Sequence, residues 1–380
     1  MAANKLQHYV PKAHLRPFGF GRDNSAIRVF NIASGRYIEA APIKGQCARD
    51  YFYGRDLMLE RALQPVEGMY AAIVAKLSSA PETINNKDMQ LLRFFALLQT
   101  FRTYSYVEKL MAMSDQNYAD MVAAGAGSQD IPRMITSMDR AVHMAINHAM
   151  RTQSTIDDLD AVVIRNRTKI DIVTSDDPAI QTNRLFLQKR GSEGFGFGSA
   201  GAMIYLPLTP RFAFLAFDPY VYHVPGRRHE LVDVIDGRDI DALNELQFLH
   251  ARENIYFSDL SSRDRLTAEF QKCVPRRPAT WTRFHFFEKT EENEREENYV
   301  PIPLDEMKLV PGREYIVGFH VVRPAPSGWP RLLNHRLRPK LIETGTAAGA
   351  VRPGQLRQSA PRRRKIRLNA ARPQWAKPET

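Results

Sequence analysis

Long apolar runs are missing from this chain. No stretch of its 380 residues approaches the roughly eighteen that a bilayer-crossing helix needs, so no membrane span is expected. The first residues, Met1 to His8, hold no apolar core of signal-peptide length. Cysteine is scarce: Cys47 and Cys273 stand far apart, which excludes a disulfide framework and points to a reducing cytoplasm. Neither cysteine has a partner at metal-ligand spacing, so both read as small buried hydrophobes. Internal repeats are absent, as are a nucleophile elbow, a Walker loop, a His-Glu-X-X-His helix and zinc-finger spacing. The letters Gly196-Phe197-Gly198-Ser199-Ala200-Gly201 imitate a dinucleotide fingerprint. They are followed by a β-type run rather than a helix, so no helix N-terminus would meet a pyrophosphate.

Charge is present but unevenly placed. The net +11 of the whole chain is carried by its last segment, where Arg323 to Thr380 holds fourteen Lys/Arg against two Asp/Glu, or +12. The remaining residues hold 39 basic and 40 acidic side chains, or −1, which gives the folded part no bulk reason to seek nucleic acid. Pro, Gly and Arg dominate after Val322, and few large apolar residues follow. The expectation is one domain over 1–322 and a mostly disordered tail over 323–380, with some of its first residues lying along the domain.

The order of periodicities predicts the α+β class, with a helical N-terminal half packed on antiparallel strands of the C-terminal half. Residues 27–32 and 36–40 alternate as two short strands. A helix opens at Asp56, with Pro65 and Gly68 predicting a kink or two abutting helices. Asn85 or Asn86 caps a second helix, Lys87 to about Met113, apolar around its whole circumference and therefore expected to be buried. Another helix spans about Pro132 to Met150. Two strand pairs follow: Ala161–Ile164 with Lys169–Val173, and Met203–Leu206 with Phe212–Phe217.

The densest collection of special residues is at the start: Gln7-His8-Tyr9-Val10-Pro11, running on to Leu15-Arg16-Pro17-Phe18. Phe52-Tyr53, Glu60, Glu67, Gln99 with Arg102-Thr103, Ser175-Asp176-Asp177-Pro178 and the Pro207–Pro210 corner follow in order. Together these blocks resemble the mainly bacterial domain-of-unknown-function family 4238, over roughly residues 5–260. The resemblance implies a shared fold and brings no catalytic assignment, so its residues carry over as positions only.

Physical chemistry adds to that list. Glu60 and Glu67 are seven apart and share one helix face. Gln99 and Arg102 are neighbours on a helix that reads as buried, and an unpaired buried guanidinium costs several kcal/mol, so Arg102 needs a carboxylate. Glu60, Glu67 and Asp176 are the candidates. Arg16 is likewise expected to pair with an acid. We therefore expect His8, Glu60, Glu67, Gln99, Arg102 and Asp176 to converge in one partly buried polar pocket, with Ser175 beside Asp176 at a strand end. Such a set suits proton transfer on a phosphorylated or anionic substrate, as in a nucleic acid hydrolase. His8, Glu60, Glu67 and Asp176 would be the acid–base groups, and Gln99, Arg102 and Ser175 the substrate contacts. A divalent ion on His8, Glu60 and Asp176 is an alternative that Arg102 opposes by charge repulsion. The other reading is a non-catalytic binding or regulatory module whose polar cluster is a structural ion-pair network. In either case Arg362, Arg363, Arg364, Lys365 and Arg367 suit loose contact with the phosphates of a nucleic acid or another polyanion.

Overall fold

The computed structural model describes residues 5–125, 133–191, 194–292, 296–303, 306–308, 310, 312–344, 349–358 and 365–368. The chain opens with β1 (Leu6–His8), the single turn α1 (Lys12–Leu15), β2 (Ala26–Asn31), β3 (Arg36–Pro42) and β4 (Ala48–Asp50). A helical block follows: α2 (Met58–Ser79), α3 (Asn86–Phe101), α4 (Tyr104–Ala123) and α5 (Met138–Thr152). Then come β5 (Asp160–Asn166), β6 (Thr174–Ser175), β7 (Ile180–Thr182), β8 (Met203–Thr209), β9 (Phe212–Phe217), β10 (Tyr222–His223) and β11 (Leu231–Val234). Helix α6 (Gly237–His250), β12 (Asn254–Phe257) and α7 (Arg263–Cys273) precede β13 (Thr282–Glu292), β14 (Glu296–Ile302) and β15 (Tyr315–Val321). The last strands are short: β16 (Asn334–His335), β17 (Ile342–Glu343), β18 (Ala350–Val351) and β19 (Lys365–Leu368). The fold is α+β.

The central sheet has the order β11-β5-β9-β8-β7, antiparallel except where β11 runs parallel to β5. It is apolar on both faces. Ala161, Val163, Ile204, Leu206, Phe214 and Ala216 join the core under α2, α3 and α5. The residues that alternate with them, including Val162, Ile164, Tyr205, Leu215 and Phe217, face α6. This period of two is what a doubly covered sheet requires. A second sheet, β3-β2-β12-β6, carries the N-terminal strands, and a third, β15-β13-β14-β19, packs against the end of α4.

The helix ends follow from their caps. Asn85 accepts from the backbone N–H groups of Lys87 and Asp88, while Asp88 returns a bond to the Asn85 N–H, closing a capping box. Helix α2 runs as one helix through Pro65, so of the expected alternatives two abutting helices do not form. Pro65 is exposed, so the carbonyl deprived of its partner faces water. The helix expected over 87–113 is two helices. Arg102 ends α3 and Thr103 caps α4, with Thr103 Oγ1 accepting from Tyr106 N at 3.2 Å. The cap wins because the same hydroxyl also donates to buried Asp177 at 2.9 Å.

One further expectation is corrected. Residues 169–173 do not pair with β5. The Asn166 amide bonds the carbonyls of Ile170 and Pro210, and Asn244 bonds Val173 N and Asp171 O, so side chains fasten this stretch instead of a ladder. After Val322 part of the segment lies along the domain, as expected, and among the described residues this packing reaches Arg352. Leu332 and Leu333 are buried in the core on the α6 side of the central sheet, and Arg352 is fully buried. Its guanidinium takes both oxygens of Asp158 and the carbonyls of Thr155, Phe197 and Ser199. Composition pointed to disorder, but two leucines and one saturated arginine are enough to pin an irregular strap. Arg362, Arg363 and Arg364 lie outside the described residues.

Candidate functional site

Along α2, Glu60, Leu63, Glu67 and Tyr70 recur at helical spacing on one face. Leu63 and Tyr70 are buried and the two glutamates half-buried, so the carboxylates sit where this face meets the surface. The end of α3 brings Gln99 and Arg102 beneath them, both 0% exposed. A chain of hydrogen bonds connects the parts. Gln99 Nε2 donates to the Tyr9 carbonyl at 2.9 Å, Arg102 Nε donates to Gln99 Oε1 at 2.9 Å, and Arg102 Nη2 donates to Glu67 Oε1 at 2.8 Å. The third guanidinium nitrogen, Nη1, is buried and has no partner among the described residues. Arg352, the other fully buried arginine, leaves no nitrogen unused.

The N-terminal strand forms the opposite wall. Strand β1 pairs antiparallel with β4, which places His8 across from Ala48. Gln7, 0% exposed, holds the 51–54 turn by donating to Gly54 O at 3.0 Å and accepting from Tyr53 N. The Tyr53 hydroxyl in turn donates to the His8 carbonyl at 3.2 Å. His8 Nε2 lies 3.1 Å from the Lys44 carbonyl. A carbonyl only accepts, so Nε2 carries the proton in the neutral ring and Nδ1 keeps its lone pair.

The electrostatics bind these groups into one site. Burial, then Lys12 and Arg102, lower His8 to about 4, so the ring is neutral near pH 7. Burial first and Glu67 second raise the Glu60 carboxyl, while Arg102 and Lys12 pull against them. Burial opposes the charge on Arg102, but Tyr53, Glu67 and Glu60 restore and exceed it. Hydrogen bonds thus join Glu67, Gln99 and Arg102, while His8, Glu60, Lys12 and Tyr53 lie near enough to couple to this group by charge. Spacing alone did not single out Lys12 or Tyr53. Tyr53 stood in a recognisable block, whereas nothing in the sequence marked Lys12.

Asp176 and Ser175 belong elsewhere. The Asp176 carboxylate accepts the N–H groups of Arg252, Glu253 and Asn254 at 2.8–3.2 Å and so caps the turn before β12. Burial pushes its carboxyl up to about 7, although the Arg252 and Asn254 N–H groups draw it down. Ser175 Oγ donates to Gln247 Oε1 at 2.7 Å inside the core. Both are used in turn and core chemistry, the competing reading of any Ser-Asp-Asp-Pro run. Because Asp176 is committed to that turn, the ligand set His8, Glu60 and Asp176 is not assembled. Among the described residues no three His, Cys, Asp or Glu side chains are grouped to hold a metal ion.

His14 is buried, with Nδ1 at 2.9 Å from the Tyr70 hydroxyl and Nε2 at 2.8 Å from Thr174 Oγ1, which makes it a core link. Arg16 is exposed and pairs with no acid among the described residues. Cys47 and Cys273 are buried and free, as expected. A cleft of about 320 Å³ lies apart from the cluster, between α4 and β13, lined by Glu108, Lys109, Met113, Gln116, Trp281 and Phe284 among others. No helix in the described residues is long and apolar enough to cross a membrane.

Fold and site together define an α+β domain with a half-buried Arg–Glu–His cluster between its N-terminal strand and its first long helices. The chain belongs to the family described as proteins of unknown function, DUF4238, whose profile matches residues 6–261. That span contains every residue of the cluster. No curated protein and no solved structure matches the chain.

Proposed function

We propose that the cluster is an acid–base site acting on an anionic substrate, with phosphate-ester hydrolysis, including that of a nucleic acid backbone, as the reaction class. The observation that carries this reading is the unpartnered Nη1 of Arg102 in a fully buried side chain. An unsatisfied buried donor costs about 1–3 kcal/mol, more when charged, and an oxyanion seated on Nη1 removes that cost. The guanidinium is already oriented by Gln99 and Glu67, so once the cover over Nη1 opens it holds a phosphate or carboxylate oxygen without turning.

The flanking groups then divide the proton work. Neutral His8, with its lone pair on Nδ1, accepts the proton of the attacking group. Glu60, whose carboxyl burial and Glu67 shift upward, is the group assigned to protonate the leaving oxygen.

A second reading is supported by the same hydrogen-bond chain. Tyr9 O, Gln99, Arg102 and Glu67 tie three elements together, as a structural network in a non-catalytic module would. Glu60→Gln and His8→Asn separate the two, because neither residue belongs to that chain. The enzyme reading expects both variants to fold as the parent does and to lose hydrolysis of phosphate esters in a substrate panel. Equal activity in parent and variants, or a parent with no oxyanion-dependent stabilisation, favours the structural network.

A further inference from the structure

On the side of the central sheet that faces α6, one basic group has no acid to answer it among the described residues. Strand β7 ends at Thr182, and the chain then makes a single π-helical turn, Leu185–Arg190. In so wide a turn the backbone bond runs from i to i+5, which brings Gln188 and Lys189 round to the side of Arg184. Arg184 is half-buried and held at two of its nitrogens. Its Nη1 donates to the Leu333 carbonyl at 2.7 Å and its Nε to Gln188 Oε1 at 2.9 Å. Tyr222 fastens the same corner. Its hydroxyl accepts from Leu185 N at 2.8 Å, and its ring lies 5.1 Å from that of His335, its partner across the β10–β16 pair. Arg190, in the same turn, takes both oxygens of Glu343, whereas burial lowers the Arg184 pKa and only Tyr222 acts against it. Burial, then Lys189 and Arg184, lower His335 to about 4, so these cations lie near enough to act on a ring that is neutral near pH 7. The His335 Nε2 is buried without a partner, so nothing inside the fold holds the ring proton there. Arg184 Nη2 and His335 Nδ1 also lack partners among the described residues, and both reach the surface.

We propose that Arg184, His335 and Lys189 form a binding site for a phosphate group, carried as the free ion or as a monoester. The site is separate from the Arg102 cluster. Leu185, Tyr222 and Leu333, which frame it, belong to the core on the α6 side, whereas α2 and α3 cover the opposite face of the sheet. Arg184 and Lys189 supply positive charge, and the neutral imidazole adds a donor without charge when its proton sits on Nδ1. A phosphate monoester is close to a dianion at neutral pH and has three terminal oxygens, so it matches both the charge and the donors. A phosphodiester or a carboxylate carries a single charge and two such oxygens, which leaves a cation and a donor unanswered. An oxyanion here also offsets the cost of half-burying Arg184 without an acid.

Nuclear magnetic resonance of the histidine rings in the full chain, titrated with inorganic phosphate at constant ionic strength, reads the site directly. At about pH 7.5, where phosphate is mostly a dianion, the His335 signals should move and saturate. Arg184→Gln and Lys189→Gln should each weaken that binding about tenfold, the loss of one charge-assisted hydrogen bond. Lys189 is exposed, so its variant keeps the test alive where Arg184→Gln, which gives up the bond to the Leu333 carbonyl, loosens the fold. Methyl phosphate should bind as well, and whichever of the two binds tighter identifies the source as an ester or the free ion. Dimethyl phosphate and acetate should bind about tenfold more weakly or less. His8 reports phosphate at the Arg102 cluster separately, so either site can fail alone. Three results overturn the proposal: a His335 ring indifferent to phosphate, an equal response to chloride or dimethyl phosphate, and a folded Lys189→Gln variant that binds phosphate as the parent does.

Discussion

Arg102 Nη2 and Glu67 Oε1 lie 2.8 Å apart, joining the end of α3 to the middle of α2 across thirty-five positions of sequence. The guanidinium is fully buried and the glutamate side chain is 27% exposed, so the pair sits at the boundary between core and water. This gives the two glutamates of α2 different duties. Glu67 neutralises Arg102, and the Glu60 carboxylate makes no hydrogen bond among the described residues.

Substitution should expose that difference. Glu67→Ala strands a buried charge and should cost about 2–4 kcal/mol, at the lower part of the range for breaking a buried pair because Glu67 is partly solvated. Glu60→Gln removes no hydrogen bond and should stay within about 0.5 kcal/mol of the parent. Urea unfolding monitored by circular dichroism checks both. Equal losses would mean that the two carboxylates share the pairing role.

The buried histidine of the core makes folding sensitive to acid. Burial lowers His14 from 6.5 to about 3, so the unfolded chain takes up a proton that the folded chain refuses. Its contribution is intact above pH 6.5 and is lost as pH falls toward 3. At pH 5 the loss is about 2 kcal/mol from this residue alone. His14→Gln should flatten this part of the pH dependence while lowering stability at neutral pH, since Gln cannot reproduce both bonds to Tyr70 and Thr174. A stability profile for the variant with the parent's slope between pH 7 and 5 would contradict the assignment.

Removing residues 323–380 should harm the domain rather than merely trim it. Leu332 and Leu333 cover the α6 side of the central sheet, and each buried leucine is worth about 1.5–3 kcal/mol. The truncated chain should melt lower and bind a hydrophobic dye. A truncation ending after Gln358 keeps Arg352 and should melt as the full chain does. Identical melting of the shorter truncation would show that the strap adds nothing.

Much of this was readable from sequence, and the failures share a cause. The apolar period of α3, the Asn85 cap and the alternating strands β8 and β9 are local signals, and local physics produced them. The convergence of Glu67, Gln99 and Arg102 was also legible, because a buried arginine demands a carboxylate and few were available. What failed depended on distant partners. Thr103 breaks its helix because Asp177, remote in sequence, binds the same hydroxyl. Asp176 looked reactive at a strand end but is claimed by three backbone N–H groups around residue 253. Arg352 sat in a segment of disordered composition, and nothing nearby announced that Asp158 would bury it.

The most direct test is a crystal structure of the full chain grown with phosphate. The proposal predicts a tetrahedral anion with one oxygen within hydrogen-bonding distance of Arg102 Nη1, bordered by Glu60 and His8. A single ordered water shared between Nη1 and protein carbonyls, with no anion at phosphate concentrations that stabilise the fold, would contradict it.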